Sequence, residues 1–223
     1  MKHYRLILLT FVLLCLPKMV VAQMQPVDLG LSVKWASCNL GASSPEEYGD
    51  YYAWGETETK MVYDWKTYRF WNQRQYGFIK YNYRKSSGGI YYFVDNKTIL
   101  ELDDDAAHVI LGGVWRIPRI DEIKELVRTK TKDDYRWEWK AINGHNGWLI
   151  TYLKNNESIF FPAAGFWRMD KLEVCETEGL YWSSSLGIDN PRSAFYWGFS
   201  SHYVETDYYP DRVVGLTIRP VAD

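Results

Sequence analysis

From Tyr135 to Ala141 the chain alternates: Tyr135, Trp137, Trp139 and Ala141 fall on one side, Arg136, Glu138 and Lys140 on the other. That period of two predicts a strand with one face toward a core. Asn143-Gly144, with Asn146-Gly147 behind it, supplies a turn because both residue types accept positive φ, and the chain enters a second strand over 148–153. A turn at Asn155 and Asn156 leads to a third apolar run, Ile159 to Phe161. Tyr181 to Ser185, Phe195 to Phe199 and Val213 to Ile218 read as further strands, the last with Val214, Leu216 and Ile218 on one face. Near the start, Val33 and Trp35 alternate with Lys34 and Ala36, a short strand.

Between these regions the period lengthens. Asp104 or Asp105 can cap a short helix running through Ala106 to Leu111, and Gly112-Gly113 ends it, since glycine accepts the left-handed C-terminal conformation. Trp115 to Ile117 predicts a strand stopped at Pro118. A second helix is expected from about Ile120 to Arg128, with Ile120, Ile123, Leu126 and Val127 on one face and Asp121 and Glu122 at its positive end. Ser43, Ser44 and Pro45 form a turn before the aromatic run Tyr48 to Trp54. Residues 57–100 carry weak periodicity and read as an irregular insertion with short strands, Ser86 to Gly89 marking an exposed loop. Helices early and antiparallel strands late predict an α+β fold.

The first 22 residues have a different character. Lys2 and Arg5 precede an apolar run from Leu6 to Leu16, and Val20, Val21 and Ala22 follow, the pattern of a secretory signal peptide cleaved after Ala22. An alternative lipoprotein signal would acylate Cys15, but Leu14 stands where a small residue is required. The apolar run is too short to span a bilayer, which takes roughly 20 residues, and no transmembrane span is expected in the mature chain. Residues 23–223 then form a single domain, long enough to bury roughly 70% of the unfolded surface. Loss of Lys2, Arg5 and Lys18 takes the formal charge from −2 to −5. An acidic export product without basic clusters has no electrostatic footprint for nucleic acid. Of the cysteines, Cys38 and Cys175 remain, and an oxidising compartment permits a bridge closing a loop of 137 residues. Such a bridge would contribute about 4–5 kcal/mol. The alternative is two buried thiols, because two cysteines fix neither proximity nor orientation.

Five segments carry a likeness beyond pattern: VDLGLSVKWASCNLGA (27–42), YGDYYAWGE (48–56), DDAAHVILGGVWRIPRIDEIKEL (104–126), YWSSS (181–185) and GLTIRPV (215–221). In order and spacing they resemble the Fibrobacter succinogenes major paralogous domain, a family of exported bacterial modules. The resemblance implies a C-type-lectin-like or formylglycine-generating-enzyme-like fold: a small twisted antiparallel sheet with two short helices and long loops. It also implies a secreted, periplasmic or outer-surface location in a bacterium. The chain departs from the family at Arg119, where Thr or Asp usually caps the second helix, and at Arg136, where many members carry Cys. The copper-binding cysteine pair of formylglycine-generating enzymes has no counterpart here.

Catalytic motifs are missing from the sequence. The acidic run Asp103 to Asp105 invites a calcium reading but lacks alternating oxygen ligands, and a solvated turn with a helix cap accounts for it. His108, His145 and His202 show no metal-ligand spacing. Neither Cys38 nor Cys175 stands in a nucleophile motif, and Glu56, Glu58, Asp189, Glu205, Asp207 and Asp211 form no pair distinguishable from surface charge, so a glycoside hydrolase is the weakest reading. Neither cofactor nor metal is expected. The aromatic content, 17% of the chain, has two explanations. Trp35, Trp115, Trp137, Trp148 and Trp182 stand in strand contexts and should pack. The late mixture of Trp197, His202, Tyr203, Glu205, Asp207, Tyr208, Tyr209 and Asp211 has the composition of a paratope, rings among short polar residues. The expected function is therefore a non-enzymatic recognition module binding a glycan or an extracellular protein through this late surface. The alternative is a structural or assembly component of the cell envelope or fimbriae.

Overall fold

A computed structural model describes residues 24–74, 77–83, 93–187 and 189–223. The expected signal peptide with Cys15, and the loop from Ser86 to Gly89, lie outside the described residues.

In chain order the strands begin with β1 (Pro26–Val27), β2 (Lys34–Ala36), β3 (Trp71–Asn72), β4 (Gly77–Phe78) and β5 (Trp115–Arg116). They continue with β6 (Tyr135–Ile142), β7 (His145–Tyr152), β8 (Glu157–Pro162), β9 (Phe166–Arg168) and β10 (Lys171–Glu173), and end with β11 (Gly179–Leu186), β12 (Ala194–Phe199), β13 (Val204–Glu205) and β14 (Val221–Ala222). The helices are α1 (Ala106–Leu111) and α2 (Ile120–Arg128). The class is α+β, as expected. In place of one small sheet, however, the strands divide into several: β1-β2-β14-β5, β6-β7-β8 and β11-β12-β13, with the ribbons β3-β4 and β9-β10, all antiparallel.

Local signals act where expected. The Asp105 carboxylate accepts the His108 N–H at 3.0 Å and caps α1, while Gly112 (φ 68°) turns the chain out of it. Arg119 cannot cap α2; the Glu122 carboxylate instead reaches back to the Arg119 N–H at 2.7 Å, half of a capping box. Asn143 and Gly144 both have positive φ, 49° and 90°, the twist a two-residue hairpin needs to join β6 to β7. The acidic run is not a solvated turn. Asp103 is exposed, but Asp104 and Asp105 are buried. Asp104 accepts from the Tyr81 hydroxyl at 2.6 Å and pairs with Lys80, and Asp105 also accepts the Ile117 N–H at 2.8 Å.

β11 and β12 form a wall between two apolar clusters. Their register sets Trp182 opposite Tyr196 and Tyr181 opposite Trp197. Trp182 and Tyr196 face a cluster with Trp54, Tyr68, Phe70, Tyr81 and Leu216. Tyr181 and Trp197 face the other way, onto Trp35, Leu126, Trp148, Phe161 and Val221. A strand buried on both faces reads as a continuous apolar run, which is what Ala194 to Phe199 is.

Two arginines sit inside. Arg219 donates from Nε to Asn39 Oδ1 (2.8 Å), from Nη1 to the Ala36 carbonyl (3.0 Å) and from Nη2 to the Phe160 carbonyl (2.6 Å), tying three separate segments. Arg212 donates from Nη1 to the Tyr81 carbonyl at 3.0 Å, and its guanidinium lies 4.0 Å from the Phe78 ring centre and 5.4 Å from those of Trp54 and Tyr68. Ring faces stand in for the missing acceptors, and burial lowers its pKa.

The expected strand over 213–218 is instead an extended segment with three different partners. Gly215 bridges Trp167, Leu216 bridges Tyr52 and Thr217 bridges Tyr181. Val214, Leu216 and Ile218 are buried, but so are Val213 and Thr217, so neither face meets water. Of the two possibilities for Cys38 and Cys175, a bridge or two thiols, the structure has two free thiols. Cys38 is buried with its thiol directed at the Ala42 carbonyl (3.5 Å), while Cys175 stands half-buried in the loop after β10. Among the described residues, no helix is long and apolar enough to cross a membrane.

Candidate functional site

The residues expected to form one late surface separate into three environments. Trp197 is 0% exposed. Its ring lies 4.7 Å from both Phe161 and Phe199 and 5.8 Å from Tyr181, so it is a core residue and meets no ligand. The paratope-like composition misled here because Trp197 belongs to the two-faced wall and not to the loop that follows.

A second group closes the edge of that wall. Glu205 pairs with Gly198 across β12 and β13 and accepts a hydrogen bond from the Tyr196 hydroxyl. Tyr203 is half-buried, and burial together with Glu178 and Glu205 raises its pKa. His202 is exposed, its N–H donated to Ser200 Oγ at 3.1 Å. The Tyr203 and Glu205 side chains thus close the edge of the wall, while the His202 ring stands in solvent with only its backbone tied to the turn.

The third group stands in solvent. Tyr208 is 67% exposed, and its ring is stacked on Tyr209 at 6.5 Å with 27° between the planes. Tyr209 in turn meets Phe195 edge-on at 5.4 Å and donates its hydroxyl to Asp189, which raises its pKa. Asp207 pairs with Lys124 of α2 at 2.6 Å, and Lys124 also lies 5.7 Å from the Phe195 ring centre. Asp211 sits 3.8 Å from Arg192 and bridges Ser193, anchoring the base of the loop.

Phe195 connects this rim to a groove missed by sequence reasoning. The groove has a volume of about 640 Å³ and is lined by Thr98, Ile99, Arg119, Asp121, Ser185 and Phe195 among others. Its floor is the C-terminal half of β11. The segment Thr98 to Leu100 pairs with one edge there, through Leu186 N to Thr98 O (2.7 Å) and Leu100 N to Ser184 O (2.9 Å). On the other edge the Ser184 N–H reaches the Pro118 carbonyl (2.8 Å), and Ser185 Oγ accepts the Ile120 N–H (3.2 Å). A second depression of about 510 Å³ adjoins it, sharing Ile99 and Arg119 and reaching Asp103 and Arg116. The sequence signal was present in the WRIP and YWSSS segments, but only their pairing across residues 98–100 makes a concavity.

Chemically, the groove offers apolar walls, serine hydroxyls and charges of both signs, suited to holding a polar ligand. A nucleophile beside a base is not among its lining. Five of the six carboxylates considered for hydrolysis are engaged elsewhere: Glu56 with Lys60 (2.7 Å), Asp189 with Tyr209, Glu205 with Tyr196, Asp207 with Lys124 and Asp211 with Arg192. Glu58 is exposed. A separate cluster joins His145 Nδ1 to Glu176 Oε1 at 2.9 Å, with the Tyr48 hydroxyl on the same oxygen and the Asn146 N–H on the other at 2.7 Å. With both oxygens occupied, Glu176 acts as a clamp between the β6–β7 hairpin and the loop before β11. Among the described residues, no group of His, Cys, Asp or Glu has a metal-binding arrangement. No protein-family model, curated protein or solved structure matches the chain, and the family resemblance stands on its five segments alone.

Proposed function

We propose that the chain is an exported recognition module of lectin-like fold, acting at the bacterial surface or beyond it, that binds a glycan without reacting with it. The observation that carries this is the exposed ring of Tyr208, stacked on the half-buried Tyr209 beside Phe195 and the 640 Å³ groove. Flat rings with polar tips bind sugars by stacking and by hydrogen bonds, and the groove falls within the roughly 300–1,000 Å³ of small-ligand sites. Asp189, Asp207 and Arg119 would then contact hydroxyls around the stacked ring.

Glycan-array binding of the exported chain, followed by titration of any hit against Tyr208→Ala and Arg119→Ala, tests this. Both variants should weaken binding about tenfold or more at unchanged thermal stability. Binding that ignores both substitutions would move the site elsewhere. The alternative role in envelope or fimbrial assembly draws support from a different place, the edge of β6.

A further inference from the structure

β6 is the outer strand of the β6-β7-β8 sheet. In an antiparallel ladder, alternate residues direct their N–H and C=O toward one neighbour and then the other. Two bonds fix the phase. Leu153 N donates to Asp134 O at 2.8 Å, extending the β6–β7 ladder, and Ala163 N donates to Asn146 O at 2.6 Å on the β8 side. With Glu138 opposite Leu149 and Lys140 opposite Gly147, the even-numbered residues of β6 face β7. The backbone groups of Tyr135, Trp137, Trp139 and Ala141 therefore face outward. Tyr135 N is taken by Lys132 O at 3.1 Å, so the chain itself covers that end. For Trp137, Trp139 and Ala141, no outward backbone hydrogen bond exists among the described residues.

Strands with open edges pair with other chains unless charge or covering prevents it. The charges here favour one partner. We infer that a second copy of this chain docks on this edge, β6 against β6 about a two-fold axis through Trp139, to make one continuous six-stranded sheet. In that register Trp139 meets Trp139 of the other copy, and Trp137 meets Ala141 in both directions. The three residues with free groups on each side then exchange backbone hydrogen bonds, and the covered end at Tyr135 is left out. The same register sets Glu138 against Lys140 twice. Lys140 has no ion-pair partner among the described residues, and Glu138 has one oxygen 3.0 Å from Arg136. The indole of Trp139 is half-exposed, lying on Trp148 (5.5 Å) and Phe199 (6.3 Å) with its outer side free for its symmetry mate. Such a contact is isologous and closes on itself, so it yields a dimer and not a fibre. A pairing this short falls below the roughly 1,200 Å² of a standard interface, which makes the dimer a weak, concentration-dependent one.

Sedimentation equilibrium of the exported chain from about 5 μM to 1 mM tests the proposal, with hydrogen exchange measured in parallel. Concentration should drive a monomer–dimer equilibrium and slow exchange at the amides of Trp137, Trp139 and Ala141. Glu138→Lys sets Lys against Lys twice and should weaken dimerisation about tenfold, while E138K/K140E restores opposite charges and should recover it. Ala141→Pro deletes an outward N–H, leaves the β6–β7 ladder intact and should abolish the dimer without lowering Tm. A chain monomeric throughout overturns self-pairing and leaves the edge to a strand of another protein. A dimer indifferent to the charge swap, or protected at other amides, overturns it as well.

Discussion

Replacing Arg219 by Met removes a side chain that joins the first strand region and the β8 segment to the segment leading into β14. The guanidinium serves three buried acceptors, Asn39 Oδ1, the Ala36 carbonyl and the Phe160 carbonyl, and lies 4.8 Å from the Phe161 ring centre. Methionine fills a similar length of space but donates nothing. Each acceptor left buried and unpaired costs about 1–2 kcal/mol, so the substitution should destabilise by about 3–6 kcal/mol. Against a total of about 5–15 kcal/mol, that is a large fraction of the fold's stability. The loss extends outward, because Asn39 Nδ2 also donates to the Tyr48 carbonyl at 2.9 Å and Tyr181 donates to the Pro162 carbonyl at 2.8 Å within the same network. Urea unfolding followed by tryptophan fluorescence reads the effect. With a slope of about 2–3 kcal/mol/M, the midpoint should fall by roughly 1–3 M. Arg219→Lys, which keeps the charge but not the planar fork, should fall between. A midpoint for R219M within about 0.4 M of the parent would refute the reasoning, because the three acceptors would then be satisfied without the guanidinium.

Other outcomes follow from the same structure. Trp197→Ala should cost about 3–5 kcal/mol, since it empties a site enclosed by aromatic rings. Tyr208→Ala should change stability by no more than about 0.5 kcal/mol, and equal losses in calorimetry would contradict their assigned burial. Thiol titration of residues 23–223 should find two reactive groups in denaturant and slow reaction when native, because Cys38 is buried and burial raises the Cys175 pKa. No reactive thiol in denaturant would establish the bridge. Glu101 is held down at about 2 by hydrogen bonds from Lys80 and Lys97. A depressed folded pKa adds stability above the ordinary carboxylate range that is lost as pH falls toward 2. Glu101→Gln should therefore flatten the acid limb of a Tm profile over that window, and parallel limbs would deny the pairing any role.

Local structure was legible wherever one short signal decided it. The alternation over Tyr135 to Ala141, the Asn143-Gly144 turn, the glycines after α1 and the apolar face of α2 each act within a few residues, and each appears at the expected place. The long-range features were not legible. Whether Ala194 to Phe199 lines a surface or an interior depends on what covers each face, and the covering residues come from distant parts of the chain, Trp54 on one side and Phe161 on the other. The acidic run deceived for the same reason, because Lys80 and Tyr81 make burial of Asp104 tolerable from a segment with no periodic signal. Of the candidate site, the exposed Tyr208 and the half-buried Tyr209 beneath it lay within the expected stretch. The groove beside it is assembled from residues 98–99, 119–121, 185–187 and Phe195 among others and has no local signature.

The closing stretch from Gly215 to Ala222 touches Trp167, Tyr52 and Tyr181 in turn, then slots β14 between β2 and β5. Those earlier segments lack their neighbours until the residues from Gly215 onward have been made. Pairings so distant along the chain form slowly, so this sheet closes after locally paired units such as β6-β7-β8 can already have formed. That stretch is thus the clasp of the fold, and the four-stranded sheet stays open at its centre until β14 slots in.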